Sequence, residues 1–330
     1  MNARAVLFSG PGLVEIGGAE VPEPSPGELL VEAAYSCISP GTELRCLAGQ
    51  QPGQVDWPYV PGYAMAGRVV AAGDGTTTPI GAAVLCRGTS RSSRPRLWGG
   101  HISHAVVPEA AVFRLPANLP LLDAPVAILA AVAYHGVRIS RPQPHEKVAV
   151  IGLGAIGQLS ARIHALTGAT VVAADLSPER VDVARKAGIE ALVPTGPLED
   201  AFRPRFPDGA DVVVDATGAP AVFRQAISLA KGVPWGSTAT LGARVLVQGS
   251  YPAEFPVPYQ AAFEKELAIY IPRNAPAADI QAVLDLMARG RLSVDGVVTE
   301  VSPPEDAPSI YAELRGGKGQ IITAAFRWQP

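Results

Sequence analysis

The sequence predicts an α/β protein, in which a β-rich lobe is followed by a doubly wound parallel sheet and the chain end returns to the first lobe. Three observations carry this. Residues 1 to about 118 are dense in short β-type runs punctuated by Gly and Pro. A long apolar stretch of helical character then breaks that rhythm. From Lys147 onward strand-like and helix-like segments alternate, as in a parallel sheet with crossover helices.

In the first lobe "ARAVLFS", "LLVEAAYS", "AGRVVAAG", "AAVLCRG" and "HAVVPEAAVFRLP" read as strands, separated by clusters such as "PEPSPGE" and "AGDGTTTPIG". The linking segment "LPLLDAPVAILAAVAYHGVRI" reads as an apolar helix. Strand "KVAVIGLG", helix "IGQLSARIHALTG", strand "TVVAAD" and helix "SPERVDVARKAG" follow. In that last helix Ser177 is placed to cap, Pro178 to fill the first turn and Gly188 to end it. "ALVP", "ADVVVDATG", "PAVFRQAISLAKG" and "ARVLVQG" continue the alternation, and "APAADIQAVLDLMARGRL" adds a helix. The strand-like end "GQIITAAFRWQP" is too short for a domain of its own. The expected domains are therefore residues 1–118 with 273–330, and residues 119–272.

Composition narrows the function classes. The 330 residues are 48% hydrophobic and 17% charged, with a net charge of −3, so nothing invites a nucleic-acid partner. No apolar run reaches the roughly 18 residues of a membrane span; the longest, "APVAILAAVAYHGV", ends in Tyr134, His135 and two more residues. The start lacks the features of a signal peptide, so a cytoplasmic location is expected. Cys37, Cys46 and Cys86 are scattered and read as buried or incidental thiols, neither a disulfide framework nor a metal knuckle.

The chemistry begins at Gly152-Leu153-Gly154-Ala155-Ile156-Gly157, a G-x-G-x-x-G run between a strand and a helix. The first glycine allows the turn, the second lets backbone approach a pyrophosphate, and the third lets helix pack on strand. The helix start supplies unpaired N–H groups for the phosphates. Asp175, 18 residues beyond Gly157 at the next strand end, is placed to accept ribose hydroxyls and repel a 2′-phosphate. This is a Rossmann fingerprint favouring NAD(H) over NADP(H). Arg180 lies close behind, expected on a solvated helix face. The competing reading is an ordinary turn beside a surface aspartate.

The pieces "YSCISPGTEL", "VPGYAMAGRVV", "WGGHISHAVVPEAAVFRLP", "VIGLGAIG", "DVVVDATGAP" and "AFEKELAIYIPRN" span nearly the whole chain. In their order the chain resembles the medium-chain dehydrogenase/reductase (alcohol dehydrogenase-like) superfamily. The resemblance implies a GroES-like catalytic lobe, a Rossmann domain and an active site in the cleft between them. Zinc-dependent members carry a Cys before a G-T-D-like turn, a G-H-E triplet and a third ligand near the linking helix. This chain has Ser39-Pro40, then Tyr63-Ala64, and no Cys, Asp or Glu between Pro125 and Tyr134. The four cysteines of the structural zinc lobe are replaced by "CRGTSRSSRPRLWGG". No zinc is expected. The Ser-Pro-Gly-Thr-Glu turn and "PGY" most resemble the zinc-free branch that includes bacteriochlorophyllide dehydrogenase, although Ala64 stands where that branch usually has Glu.

Without a metal, side-chain donors must stabilise the reacting oxygen. Tyr63 occupies a vacated ligand position and offers a phenol; alternatively it fills the volume a metal would take. Thr42 and Ser39 are candidates to pass a proton, against plain turn capping. Glu43 matches a bracing residue. His101 is a candidate general base, against packing; His135, on the linking helix, is a candidate near the nicotinamide, against the same alternative. His104, His145 and His164 read as surface or strand-end residues. For coenzyme contacts the resemblance implies Thr217, Gly218, Ser250, Tyr251, Arg273 and Asn274. Arg87, Arg91, Arg94 and Arg96 form either a solvated loop or a grip on an anionic substrate group. The insert at 232–242 is expected to cover the cofactor cleft or a neighbouring subunit.

The function expected is a zinc-independent, NAD(H)-linked oxidoreductase of a secondary alcohol or its ketone, in a biosynthetic setting. Its partner is a small-molecule substrate, and the resemblance implies a homodimer paired through a strand near "ARVLVQG". Two rivals remain: an NAD(P)H-dependent reductase of conjugated C=C bonds, against which Asp175 argues, and a dinucleotide-binding redox sensor without turnover.

Overall fold

Alternating burial sets the first hairpin, in which β1 (Asn2–Gly10) pairs antiparallel with β2 (Leu13–Glu20). The chain continues through β3 (Glu28–Cys37), α1 (Pro40–Leu47), β4 (Met65–Ala72), β5 (Ala83–Cys86), β6 (His104–Pro108) and β7 (Phe113–Arg114). The computed structural model describes residues 1–237, 242–317 and 320–329. Next come α2 (Val126–Ser140), β8 (Lys147–Ile151), α3 (Ala155–Leu166), β9 (Thr170–Ala174), α4 (Pro178–Lys186) and β10 (Glu190–Leu192). Then follow α5 (Leu198–Phe202), β11 (Val212–Asp215), α6 (Pro220–Leu229), β12 (Arg244–Val247), α7 (Tyr259–Glu264), β13 (Ala268–Tyr270) and α8 (Ala277–Ala288). The last elements are β14 (Val298–Ser302), α9 (Ala307–Gly316) and β15 (Thr323–Arg327).

The chain divides into two units, Met1–Leu129 with Val298–Pro330, and Ala130–Val297. In the first, a seven-stranded sheet runs β14-β15-β3-β4-β5-β7, with β6 also paired to β3. Its core is aromatic. Phe8, Tyr59, Tyr311 and Phe326 are fully buried, and Phe8 meets Tyr311 edge-on with ring centroids 5.0 Å apart.

The second unit holds six parallel strands in the order β10-β9-β8-β11-β12-β13. Its central strands are short apolar runs buried on both faces, as helix-covered parallel strands must be. Period two divides them. Ala149, Ile151 and Val213 face the side holding Phe202, Phe223 and Ile227, whereas Val148, Val150 and Val214 face Ala161, Val181 and Ala184. Strand order reverses between β8 and β11, the switch point where such sheets collect ligands.

Three expectations need correction. The predicted boundary at 272/273 falls inside the second unit. Helix α8 stays there because Ile280, Val283 and Leu284 are buried, while its Asp279 carboxylate accepts from His135 and Arg138 of α2. The subunit-pairing strand expected near "ARVLVQG" is internal, since β12 is flanked by β11 and β13; among the described residues the edges of this sheet are β10 and β13. His164 is not at the surface but fully buried on α3, its Nδ1 donating to the Ser160 carbonyl at 2.8 Å. Among the described residues no helix is long and apolar enough to cross a membrane.

Burial pushes the His164 imidazole down from 6.5 to about 4. Its folded-state pKa is depressed, so the stability it contributes is complete above pH 6.5 and is lost as pH falls toward 4, where only the unfolded chain takes the proton. Thermal unfolding followed from pH 7 to pH 4 should show this acid loss, on the order of 3 kcal/mol. His164→Phe, which cannot take up a proton, should flatten it.

Candidate active site and dinucleotide socket

The segment expected as a turn at Ser39–Glu43 is the start of α1. Proline at the first helical position lacks only an N–H that would go unpaired there anyway. Ser39 is the N-cap, yet its side chain makes no capping bond. Its hydroxyl instead accepts from the Tyr63 phenol at 2.6 Å, and Thr42 Oγ1 lies 3.5 Å from the same phenol oxygen. The three hydroxyls proposed from sequence therefore meet at one point. Burial holds the Tyr63 phenol above its ordinary value of 10, so it is a neutral donor at physiological pH. Trp98 meets Tyr63 edge-on, 5.1 Å between centroids, from a left-handed backbone position at φ 70°.

Behind this cluster lies a buried polar network. Glu43 is fully buried; its carboxylate accepts from Ser39 N–H at 2.7 Å, from Tyr311, and from His101 Nε2 at 2.8 Å. The indole of Trp328 can only donate, so Ser36 Oγ accepts from it at 2.9 Å and turns its own proton to His101 Nδ1 at 2.8 Å. The hydrogen bonds thus run from Trp328 through Ser36 and His101 to the Glu43 carboxylate. This corrects the reading of His101 as a general base: its ring is fully buried, both nitrogens are engaged, and it packs edge-on against Phe326.

The residues do not fit zinc. At the places where two of the superfamily's ligands would stand, Ser39 and Tyr63 offer neutral hydroxyls, as does the neighbouring Thr42, not thiolate, imidazole or carboxylate. The thiols of Cys37 and Cys86, held at about 12 by burial, stay protonated. Among the described residues no group of three His, Cys, Asp or Glu could hold a metal ion.

The second unit carries the dinucleotide socket. Gly152 turns at φ 86°, and a Cβ on Gly157 would lie 1.7 Å from the Gly152 carbonyl oxygen. A Cβ on Gly154, by contrast, would meet nothing within 4 Å, so the bend is open at that point. Ala155 and Ile156 form the first turn of α3. Asp175 follows β9, accepting from Leu153 N–H at 2.6 Å and Ser177 N–H at 2.9 Å. Arg180 is not on a solvated face: it lies 3.7 Å from Asp175. Leu176, 80% exposed beside that carboxylate, was not singled out by sequence, because an exposed leucine carries no pattern of its own.

At the end of β11, Asp215 is fully buried and accepts from Thr217 N–H and Oγ1 at 2.9 and 2.7 Å. Gly218 backs onto the Ser250 carbonyl, joining the ends of β11 and β12. Tyr251 corrects its reading as a coenzyme contact. Its ring is buried against Phe223 and Phe255, with its hydroxyl on Asp215. Arg273 and Asn274 are exposed after β13, Asn274 at φ 62°. His135 Nδ1 donates to the Asp279 carboxylate at 2.9 Å, and the ring lines a cavity of about 590 Å³ with Arg138, Arg141 and Tyr270.

The arginine loop divides. Arg91 binds Glu28, Arg94 and Arg96 are exposed, and Arg87 is half-buried and acts electrostatically on Tyr63. Of the 232–242 insert, residues 238–241 lie outside the described residues, and Trp235 is 89% exposed.

Two family models match this chain, an alcohol dehydrogenase GroES-like domain over residues 25–117 and a zinc-binding dehydrogenase over residues 155–289. The 2-desacetyl-2-hydroxyethyl bacteriochlorophyllide A dehydrogenase of Rhodobacter capsulatus is 30% identical over 319 residues, covering 94% of each chain. Among solved structures, an acetophenone reductase from Geotrichum candidum in complex with NAD superposes with a TM-score of 0.84 at 20% identity, over 99% of this chain and 97% of that one. A zinc-binding dehydrogenase from Sinorhizobium meliloti bound to NADP superposes with a TM-score of 0.86 at 22% identity, over 99% of both. The chain belongs to the medium-chain dehydrogenase/reductase, alcohol dehydrogenase-like superfamily.

Removing Glu43 should show how much rests on it. Glu43→Ala leaves Ser39 N–H, His101 and Tyr311 without their acceptor, and should destabilise the fold by roughly 3–5 kcal/mol. The check is a lowered urea midpoint at unchanged slope.

Proposed function

We propose that this chain is a zinc-independent, NAD(H)-dependent oxidoreductase interconverting a secondary alcohol and its ketone. One observation carries the reading: a neutral phenol, hydrogen-bonded to Ser39 and flanked by Thr42, stands where metal ligands stand in zinc-dependent members of the superfamily. The relative from Rhodobacter capsulatus carries a hydroxyethyl group, a secondary alcohol, in its name.

When bound, the nicotinamide gives or accepts the hydride. The chain does the rest. The bend at Gly152, Gly154 and Gly157 and the first N–H groups of α3 hold the pyrophosphate. Asp175 takes the adenosine ribose and Leu176 offers an apolar face to the adenine. Thr217, Gly218 and Ser250, at the ends of β11 and β12, would serve the nicotinamide half. Tyr63 donates to the substrate oxygen; its raised pKa makes it a proton donor in ketone reduction rather than a standing base. Ser39 Oγ, already bonded to the phenol, would return a proton to it after ketone reduction and take one from it in the direction of alcohol oxidation.

Related structures carry either NAD or NADP. Asp175 supports NAD, since its carboxylate would face a 2′-phosphate across a short gap, and Arg180 already leans on that carboxylate. The free edge of β13, with Ile271, Tyr259 and Phe263 exposed nearby, supports a homodimer.

Tyr63→Phe should lower kcat about 100-fold while NADH affinity, read by fluorescence titration, holds; unchanged turnover removes the phenol from the mechanism. Asp175→Ala should move the NADPH/NADH ratio of kcat/KM toward NADPH by at least about tenfold, the scale of one lost charge contact.

A further inference from the structure

We infer that Trp98 makes this site select alcohols or ketones that carry an aromatic ring near the reacting carbon. The inference rests on the dehydrogenase reading above and names its substrate class.

Backbone bonds bring Trp98 to Tyr63. The segment leading to His101 runs beside the one leading to Tyr63: Leu97 N–H donates to the Val60 carbonyl at 3.0 Å, Gly100 N–H to the Gly62 carbonyl at 2.7 Å, and His101 N–H to the Pro61 carbonyl at 3.0 Å. Trp98 and Gly99 are looped out between these bonds, with φ of 70° and 71°. The left-handed region is open to glycine but strained for a bulky side chain. Glycine at position 98 would adopt it freely, so what tryptophan adds there is its ring.

That ring meets the Tyr63 ring at 5.1 Å between centroids and 75° between planes, while the Tyr63 hydroxyl donates to Ser39 at 2.6 Å. Thr42, Tyr63 and Trp98 are all half-buried, each partly open to an incoming molecule. The other tryptophans of this unit serve the interior. Trp328 is buried with its N–H on Ser36, and Trp57 leans on the fully buried Tyr59, 4.9 Å between centroids. Trp98 packs on the same core but ends beside the candidate proton donor.

Aromatic rings pair edge-on or offset because each has a negative face and a positive edge. An aromatic substrate extends the Tyr63–Trp98 pair in that way while its reacting oxygen accepts from the phenol. A saturated ring of equal carbon count buries at least as much apolar surface but lacks this charge pattern. Two fixed points, the oxygen on Tyr63 and the ring on Trp98, also set which face of the carbonyl is held.

The test compares matched pairs, phenylacetone with cyclohexylacetone and 4-phenyl-2-butanone with 4-cyclohexyl-2-butanone. Binding to the purified protein is measured by calorimetry with and without NADH. The expected result is an aromatic ketone about fivefold tighter than its saturated partner at one chain length or both. Trp98→Leu should abolish that preference and Trp98→Phe should keep part of it, which also shows that the site still folds. Equal or weaker binding of the aromatic member of both pairs overturns the proposal, as does a preference that survives Trp98→Leu. Failure of NADH itself to bind overturns the dehydrogenase reading instead, and the coenzyme-free titrations still decide the role of Trp98.

Discussion

The first unit is organised around one buried negative charge. The Glu43 carboxylate gathers donors from the N-cap of α1, from Tyr311 on α9, and from His101 just before β6. Through His101 and Ser36 it reaches Trp328 near the chain end. A carboxylate out of water is tolerable only when its lone pairs are filled, so every one of these segments must be in place together. The Ser39 backbone is fixed by that requirement, and with it the hydroxyl that Tyr63 contacts. The chemistry at the surface of this unit is positioned by an electrostatic need in its interior.

The second unit depends on steric room instead. Its sheet brings the ends of β8, β9 and β11 together at the strand-order reversal, and the Gly152–Gly157 contact lets α3 sit against that point. Each unit thus presents its own set of groups: hydroxyl donors in the first, a glycine bend and a carboxylate in the second.

Much of this was legible in the sequence. The alternation of strands and helices after Lys147, the glycine run and Asp175 are local patterns, and local patterns survive in a linear reading. Ser39 and Tyr63 stand out in sequence because they occupy places where metal ligands are expected, and Thr42 because it lies in the same short run as Ser39. What was missed is non-local. His101 and Glu43 are 58 residues apart, and nothing in either neighbourhood announces the pairing. His164 looks polar in sequence but sits on a helix buried on nearly every face. The pair Pro40-Gly41 resembles a turn, although proline is favoured at the first helical position, where α1 uses it. Tyr251 follows a strand end as a ligand contact would, but its ring found an aromatic cluster and its hydroxyl a buried acid.

One side chain, Asp175, accepts from both Leu153 N–H and Ser177 N–H, so the fold itself fastens the glycine bend to the stretch between β9 and α4. The freedom of the glycine bend is therefore lost when the chain folds. Association at this socket carries little entropic penalty from the protein, so a weak nucleotide owes its weakness to its own missing contacts rather than to a disordered receptor.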